Sequence, residues 1–440
     1  MPLTGIQIYK LLPQTNCKEC GFPTCLAFAM KLAAKQVELS SCPYVKEEAK
    51  TQLAESSAPP VRLVTLKAGG NEVKAGNEVV LFRHEKTFYN KPGIFVKVRD
   101  DQSADQIKAQ VAPADSYAVN YVGMDLHVDG FAVEDVKHDP AAFAAAVSAV
   151  RQVSKRPLIL VSRDAKVMAA GLQGLGGECP LVCAADGANW EAMTELAKQQ
   201  KAALVVSAAT LEELAALTEK IKAKGVEDLV LDPSATSLGA SLAINTTIRR
   251  LALKKNFHAL GYPILAFPAT AAAATQAVAK YAGFLVLDSF SADLVYPLLV
   301  LRQNIYTDPQ KPIQVQPGLY EINNPKPQSP VLVTTNFSIT YFSVANEVES
   351  SGLPAWLLVT DADGMSVLTA WAAGKFDSER IAKAVRGFNI AEKIDRKRIV
   401  IPGAVAVLSG ELEAELPGWE ICVGPREGVD IPAYIKTVLK

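Results

Sequence analysis

From residue 121 onward, short runs of continuous apolar residues alternate with stretches whose apolar positions recur at helical spacing. YVGMDLHV, PLILVS, PLVCAA, ALVVSA, DLVLDP, PILAFP, FLVLDSF and PIQVQPG read as strands. Runs continuous in Val, Ile and Leu, rather than alternating with polar residues, suit parallel strands covered on both faces. Eight such runs over about 230 residues match a (β/α)8 barrel of the TIM type in count and size, with a doubly wound open sheet as the competitor.

A second texture follows NNPKPQSP at 323–330. VLVTTNFS, AWLLVTDADG, a short SVLTAW, RIVIPG and WEICVG predict strands, separated by helical segments such as ITYFSVANEVESS and SERIAKAVRGF. That is an α/β domain of flavodoxin or Rossmann-like size. In such open sheets ligands bind beyond the carboxyl ends of the strands, here NFSIT, DADG, AWAAGK, PGAVA and GPREG. Upstream, AESSAPP at 54–60 reads as a linker, and the alternating stretch VRLVTLKAGGNEVKAGNEVVLFRHEKTFYNKPG predicts short connecting strands. The expected division is 1–57, a connecting element at 58–92, a barrel at 93–322 and the α/β domain at 323–440.

Composition narrows the function. Lys and Arg (45) nearly balance Asp and Glu (46), which gives no electrostatic case for a nucleic-acid or acidic-membrane partner. The uncharged run from Ala259 to Ala279 is long enough to span a bilayer, but Pro263, Pro268, Thr270, Thr275 and Gln276 interrupt it, so a buried strand and an Ala-rich helix are expected. MPLTGIQIYK has none of the marks of a signal peptide, and a cytoplasmic protein is expected. Seven cysteines in that setting argue against a disulfide framework.

Four of those cysteines are crowded together. Cys17, Cys20 and Cys25 lie in NCKECGFPTC and Cys42 follows in SSCPYV, giving C-x2-C-x4-C-x16-C. Structural zinc usually takes paired short knuckles, whereas a cubane has its corners spread more widely and suits three ligands on one loop with a fourth returning from a distance. A 4Fe-4S cluster is the favoured reading, with zinc and unliganded core thiols as alternatives. Sixteen residues in one straight helix would carry the chain about 24 Å away, so it must turn back. A helix from near Pro23, carrying Leu26, Phe28, Ala29, Leu32 and Ala33, and a return through VELSS are expected. Cys179, Cys183 and Cys422 read as core residues.

DLHVDG satisfies D-x-H-x-x-G, a pattern by which many cobalamin enzymes supply a histidine to cobalt. Its place at the opening of the predicted barrel, rather than after the first strand of the small α/β domain, argues that His127 is an ordinary polar or packed residue.

The order of a four-cysteine segment, a barrel-sized middle and a small α/β domain resembles the large (gamma) subunit of the corrinoid iron-sulfur protein over essentially the whole chain. NCKECGFPTCLAFAMKLA with SSCP carries the likeness at one end. VLVTTNFSITYFSVANEVESSGLPAWLLVTDADGMSVLTAWAAGKF and GPREGVDIPAYI carry it at the other. The resemblance implies a methyl carrier of the reductive acetyl-CoA pathway. It would take a methyl group from methyltetrahydrofolate by way of a separate methyltransferase and deliver it to acetyl-CoA synthase. It also implies cobalamin held base-off with no protein ligand below the cobalt, a 4Fe-4S cluster that restores Co(I) after oxidation, and a heterodimer with a small, barrel-type subunit.

The corrinoid is then expected on the carboxyl-end loops of the last domain. Asn336, Ser338 and Thr340 follow its first strand and open a helix, offering hydroxyl and backbone donors. Thr369, Ala370, Trp371, Ala372, Ala373 and Gly374 are small, Trp apart, and allow the backbone close to a flat macrocycle. Gly403 and Ala404 open a helix after IVIP, and Gly424, Pro425, Arg426 and Glu427 form the final loop. No His lies in residues 259–440. Two rivals stand beside this reading: an iron-sulfur electron carrier with a flavin domain, and a barrel methyltransferase that binds folate itself. Against the second, strand-end acids such as Asp186, Asp232 and Asp288 read as loop caps.

Overall fold

The computed structural model describes residues 5–33, 37, 39–46, 59–121, 124–235, 237–308 and 313–439. The chain divides into two compact units, one running to Val119 and through Leu126–Tyr306, the other taking Asn120–Asp125 and everything from Thr307.

In the first unit an antiparallel hairpin, β1 (Val64–Ala68) and β2 (Asn71–Ala75), turns through Gly69 and Gly70, whose φ values of +53° and +86° favour glycine. After it come β3 (Gly93–Arg99) and, past a short pair β4 (Val119–Tyr121) and β5 (Met124–Leu126) whose residues Asn120–Asp125 belong to the second unit, β6 (Gly130–Glu134), β7 (Leu158–Val161), β8 (Leu181–Ala185), β9 (Ala203–Ser207), β10 (Leu229–Asp232), β11 (Ile264–Ala266) and β12 (Ala282–Leu287). Strands β3 and β6 to β12 close into a parallel barrel. β8 and β9 are buried at every position, as strands between an inner core and an outer layer of helices must be. The interior is filled by Phe95, Ala132, Ile159, Leu181, Val205, Val230, Leu265 and Phe284, and the hairpin adds Val64, Leu66, Val73 and Ala75 to that core. Lys67 exchanges backbone hydrogen bonds with Cys179, just before β8, so the hairpin seals the amino end of the barrel. The opposite mouth stays open.

The expected barrel is present, but two of its eight strands differ from the reading. Of YVGMDLHV, Tyr121 and Met124–Leu126 lie in the β4–β5 pair, outside the barrel, and PIQVQPG lies outside it too; GIFVKVR and GFAVE are the true first strands. Lys97 and Arg99 break the apolar run of β3. Lys97 Nζ is nevertheless housed at the mouth, 2.8 Å from Asp288 and 3.2 Å from Glu134. β6 opens on Gly130, where a Cβ would meet the Pro157 carbonyl at 2.2 Å, so a residue that usually marks a turn is required by close packing.

The second unit holds β13 (Gly318–Ile322), β14 (Val331–Thr335), β15 (Ala355–Thr360), β16 (Arg398–Ile401) and β17 (Glu420–Val423), in the order β13-β15-β14-β16-β17. All neighbours are parallel except β13, an antiparallel edge. The boundary expected at 322/323 therefore falls after a strand that belongs to this sheet. SVLTAW is not a strand: Val367–Ala372 is a short helix, with Ala370 fully buried. One sheet face packs on helices Ser378–Gly387 and Ser409–Glu415, the other on Ser338–Ser350 and Ile431–Thr437. The uncharged 259–279 run resolves into β11 and the helix Ala271–Ala279, and no described helix is long and apolar enough to cross a membrane.

Candidate functional site

Helices Gly5–Leu11 and Cys25–Ala33 bury Ile8, Leu12, Phe28 and Ala29 together with Val45, and Cys25 and Cys42 belong to this same small core. The second helix starts at Cys25, where Thr24 Oγ1 accepts from Ala27 N (3.1 Å). It carries the five expected apolar residues, of which Phe28 and Ala29 are buried, Leu32 is half-buried, and Leu26 and Ala33 face outward. Between the helices the chain wraps through Asn16, Lys18 and Gly21, all at positive φ (49°, 65° and 83°), which curls the Cys17–Cys20 loop back on itself. Asn16 locks that loop to the helix, its Oδ1 accepting from Cys25 N at 2.8 Å while its own N–H points at Cys25 Sγ at 3.4 Å. The turn Leu39–Ser41 returns the chain to Cys42; Glu38 of the VELSS return lies outside the described residues. Burial, and then the nearby Cys20, Cys25 and Cys17, push the Cys42 thiol up, while the Tyr44 backbone opposes them. Among the described residues no three Cys, His, Asp or Glu are gathered as ligands of a single metal ion.

In the second unit, β15 and β16 lie on opposite sides of β14, so the strand order reverses between β14 and β16. That reversal is where an open α/β sheet parts its loops into a crevice. A cavity of about 240 Å³ lies there, walled by the sheet, helix Ser338–Ser350 and helix Ile431–Thr437. Of the expected residues, Thr340, Ala404, Gly424, Pro425, Arg426 and Glu427 line it. Gly403 does not. It lets two loops touch, since a Cβ there would meet Gly424 O at 2.3 Å, and its N–H donates to Pro425 O at 3.0 Å.

Asn336 and Ser338 are buried and engaged within the protein. Asn336 Oδ1 accepts from Ala362 N (2.9 Å) and Gly364 N (3.0 Å), tying the loop after β14 to the loop after β15. Ser338 Oγ donates to Ile313 O at 2.7 Å and makes no cap. Thr369, Trp371, Ala372, Ala373 and Gly374 are exposed beyond β15, while Ala370 faces the core.

Sequence reasoning missed the cavity's apolar lining, including Leu332, Val344, Val367, Val400, Ile401, Ile431 and Tyr434, because each reads as ordinary core. One signal was available. β14 ends in two threonines after an apolar run, and both hydroxyls are buried with no hydrogen-bond partner; Thr334 lines the cavity. Around the same sheet edge, Ile339, Leu368, Trp371, Val407 and Val429 are large apolar side chains left exposed, each on a segment after the carboxyl end of a strand.

The barrel mouth forms another cavity, lined by Lys97, Glu134, Asp135, Ser162, Arg163 and Asp232 among others. The acids at the carboxyl ends of β8, β10 and β12 are engaged within the protein. Asp186 accepts from Ala188 N and Asn189 N and pairs with Arg163; Asp232 accepts from Ser207 Oγ and Ser234 N; Asp288 holds Lys97. The capping role expected of Asp186 and Asp232 is the one observed. His127 sits in the first unit before β6, exposed, with Nδ1 2.9 Å from the Arg156 guanidinium.

The family described as CO dehydrogenase/acetyl-CoA synthase delta subunit matches residues 63–435, and an Fe-S cluster family matches residues 12–44, the segment with all four clustered cysteines. The corrinoid/iron-sulfur protein large subunit of Moorella thermoacetica is 47% identical over 445 residues, covering 100% of both chains. The gamma subunits of the acetyl-CoA decarbonylase/synthase complexes of Methanopyrus kandleri and Archaeoglobus fulgidus are 36% and 35% identical, covering 99% and 98% of this chain and 97% of each of theirs. A dihydropteroate synthase structure from Coxiella burnetii aligns with 56% of this chain and 99% of its own at a TM-score of 0.37 and 10% identity. Matched end to end by these large and gamma subunits, the chain belongs to the corrinoid/iron-sulfur protein large-subunit family of the CO dehydrogenase/acetyl-CoA synthase system.

Proposed function

We propose that this chain is a corrinoid-bearing methyl carrier, accepting a methyl group from methyltetrahydrofolate through a partner methyltransferase and passing it to acetyl-CoA synthase. The observation that carries the reading is the cavity at the β14/β16 reversal, with its unpartnered buried hydroxyl and its exposed apolar rim. A corrinoid offers matching parts: a broad flat ring edged with amides, and a tail ending in an aromatic base beyond a phosphate. The base fits among Leu332, Val344, Val400 and Ile431. Arg426, which has no ion pair among the described residues, lies on the same lining where a phosphate would emerge. Ile339, Leu368, Trp371 and Val407 offer apolar contact to the ring, and the small residues Ala372, Ala373 and Gly374 leave backbone groups open to its amides. The cobalt supplies the methyl-accepting nucleophile when the corrinoid is bound.

With its base in the cavity and no histidine in the surrounding loops, the corrinoid is held base-off without a protein ligand below the metal. The four cysteines hold one 4Fe-4S cluster, whose role is to return an electron to oxidised cobalt. Thiolate donors, wrapped loop and Asn16 brace suit that cluster.

Metal analysis of anaerobically purified protein with its small barrel-type subunit tests both parts. About one cobalt and about four irons per chain are expected. Stoichiometric zinc would defeat the cluster, and flavin rather than corrinoid bands after cluster removal would defeat the carrier.

A further inference from the structure

Leu332, Val344, Val400 and Ile431, buried or half-buried, give the β14/β16 cavity a largely apolar lining. Ser343 also lines it, but its hydroxyl donates to Ile339 O at 2.8 Å. Thr340 and Tyr434 are partly exposed, and Arg426 and Glu427 are exposed, so charge is confined to the open end. Thr334 is different. It is 1% exposed, and its Oγ1 has no partner in the protein. An unpaired buried hydroxyl is costly, and a ligand that places one acceptor against it is favoured over a ligand that places none or several.

We propose that this cavity selects the class of lower base on the corrinoid tail: it takes a benzimidazole and discriminates against a purine, with Thr334 Oγ1 as the reading group. The inference rests on the corrinoid assignment above. A benzimidazole is linked to its ribose through one nitrogen, and in the base-off state its other nitrogen is a lone free acceptor on an otherwise hydrocarbon bicycle. One buried, unpartnered donor on a largely apolar lining is its complement. Adenine brings further ring acceptors and an amino group, which would be stripped of water against Leu332, Val344, Val400 and Ile431. A phenolic base has no ring nitrogen and leaves Thr334 unpaired.

Equilibrium binding to the cobalt-free full chain with its small subunit, under anaerobic conditions, tests this with four probes: benzimidazolyl, adeninyl and phenolyl cobamides, and cobinamide, which lacks the tail. The benzimidazolyl form is expected to bind at least about tenfold more tightly than either of the other cobamides. Thr334→Val should weaken it about tenfold while leaving the phenolyl form unchanged, and Thr334→Ser should restore it. The same Val substitution should raise the urea midpoint of the apoprotein, since an unpaired hydroxyl becomes a methyl, which shows that the variant folds. Equal affinity for benzimidazolyl and adeninyl forms, or an equal loss for all four probes in Thr334→Val, overturns the proposal. Failure of every probe to bind overturns the corrinoid assignment itself, and cobinamide binding as tightly as the cobamides removes the tail from the cavity.

Discussion

Gly403 shows how a residue near a ligand site can serve packing instead. Its Cβ would sit 2.3 Å from Gly424 O, a backbone atom that cannot swing away. Gly403→Ala should therefore destabilise the chain by about 1–3 kcal/mol, as overpacking does, read from urea unfolding. Gly410→Ala is the control: nothing lies within 4 Å of a Cβ there, the residue is in helix Ser409–Glu415, and stability should hold or rise slightly. His127 makes the opposite case, a residue in a suggestive motif whose ring is beside Arg156 and the Val128 carbonyl. His127→Ala should leave the Co(II) resonance spectrum of the holoprotein unchanged and free of nitrogen superhyperfine splitting. Splitting that disappears in the variant would make DLHVDG the ligand motif after all.

Among the elements, the N-terminal helix pair stands on a small core of its own to which Cys25 and Cys42 contribute. Cys20 lies in the turn between the helices and only packs against that core, so Cys20→Ala should abolish or convert the cluster signal and lower the iron content while leaving cobalt binding intact. A second element-level contact anchors the segment after the β1–β2 hairpin to helix Leu238–Lys255 through Glu78 and Arg249, 3.1 Å apart and each 7% exposed. Arg249 also lies over the rings of Phe88 and Tyr281. Burial pushes the Glu78 carboxyl above its ordinary 4.5, with Arg249 opposing. Because the folded value is the higher one, the folded state keeps the proton longer, and that stabilisation is complete below 4.5 and lost as pH rises through the raised value. Across that window the wild type should lose more stability than Glu78→Gln, measured as urea midpoint against pH. Arg249→Met, which strands the carboxylate, should cost roughly 3–5 kcal/mol at neutral pH and extend the decline to higher pH.

For the whole molecule, the exposed apolar rim on the second unit carries the main consequence. Ile339, Val407 and Val429, 68%, 66% and 69% exposed, leave apolar surface open on the face where the corrinoid is proposed to bind. The isolated chain should therefore hold a cobamide weakly and the heterodimer with the small subunit tightly, as equilibrium dialysis of the two would show; tight retention by the isolated chain would contradict this. The cysteine spacing, the continuous Val-, Ile- and Leu-rich strands β7 to β12 and the carboxyl-end loops of the last sheet were legible along the chain, because ligand spacing and burial on both faces are local constraints. β3 and β6 were not: Lys97 is accommodated by Glu134 on β6 and by Asp288 just past β12, and Gly130 is required by the Pro157 carbonyl just before β7. The same holds for the cavity. Asn336 and Ser338 are polar residues in a ligand-side loop, yet they bond to Ala362, Gly364 and Ile313, while plain apolar residues of β14, β16 and the last helix line the cavity. Local pattern marks the strands that are apolar throughout; which polar group is left without a partner depends on the sum of all its neighbours, and that sum exists only once the chain has folded.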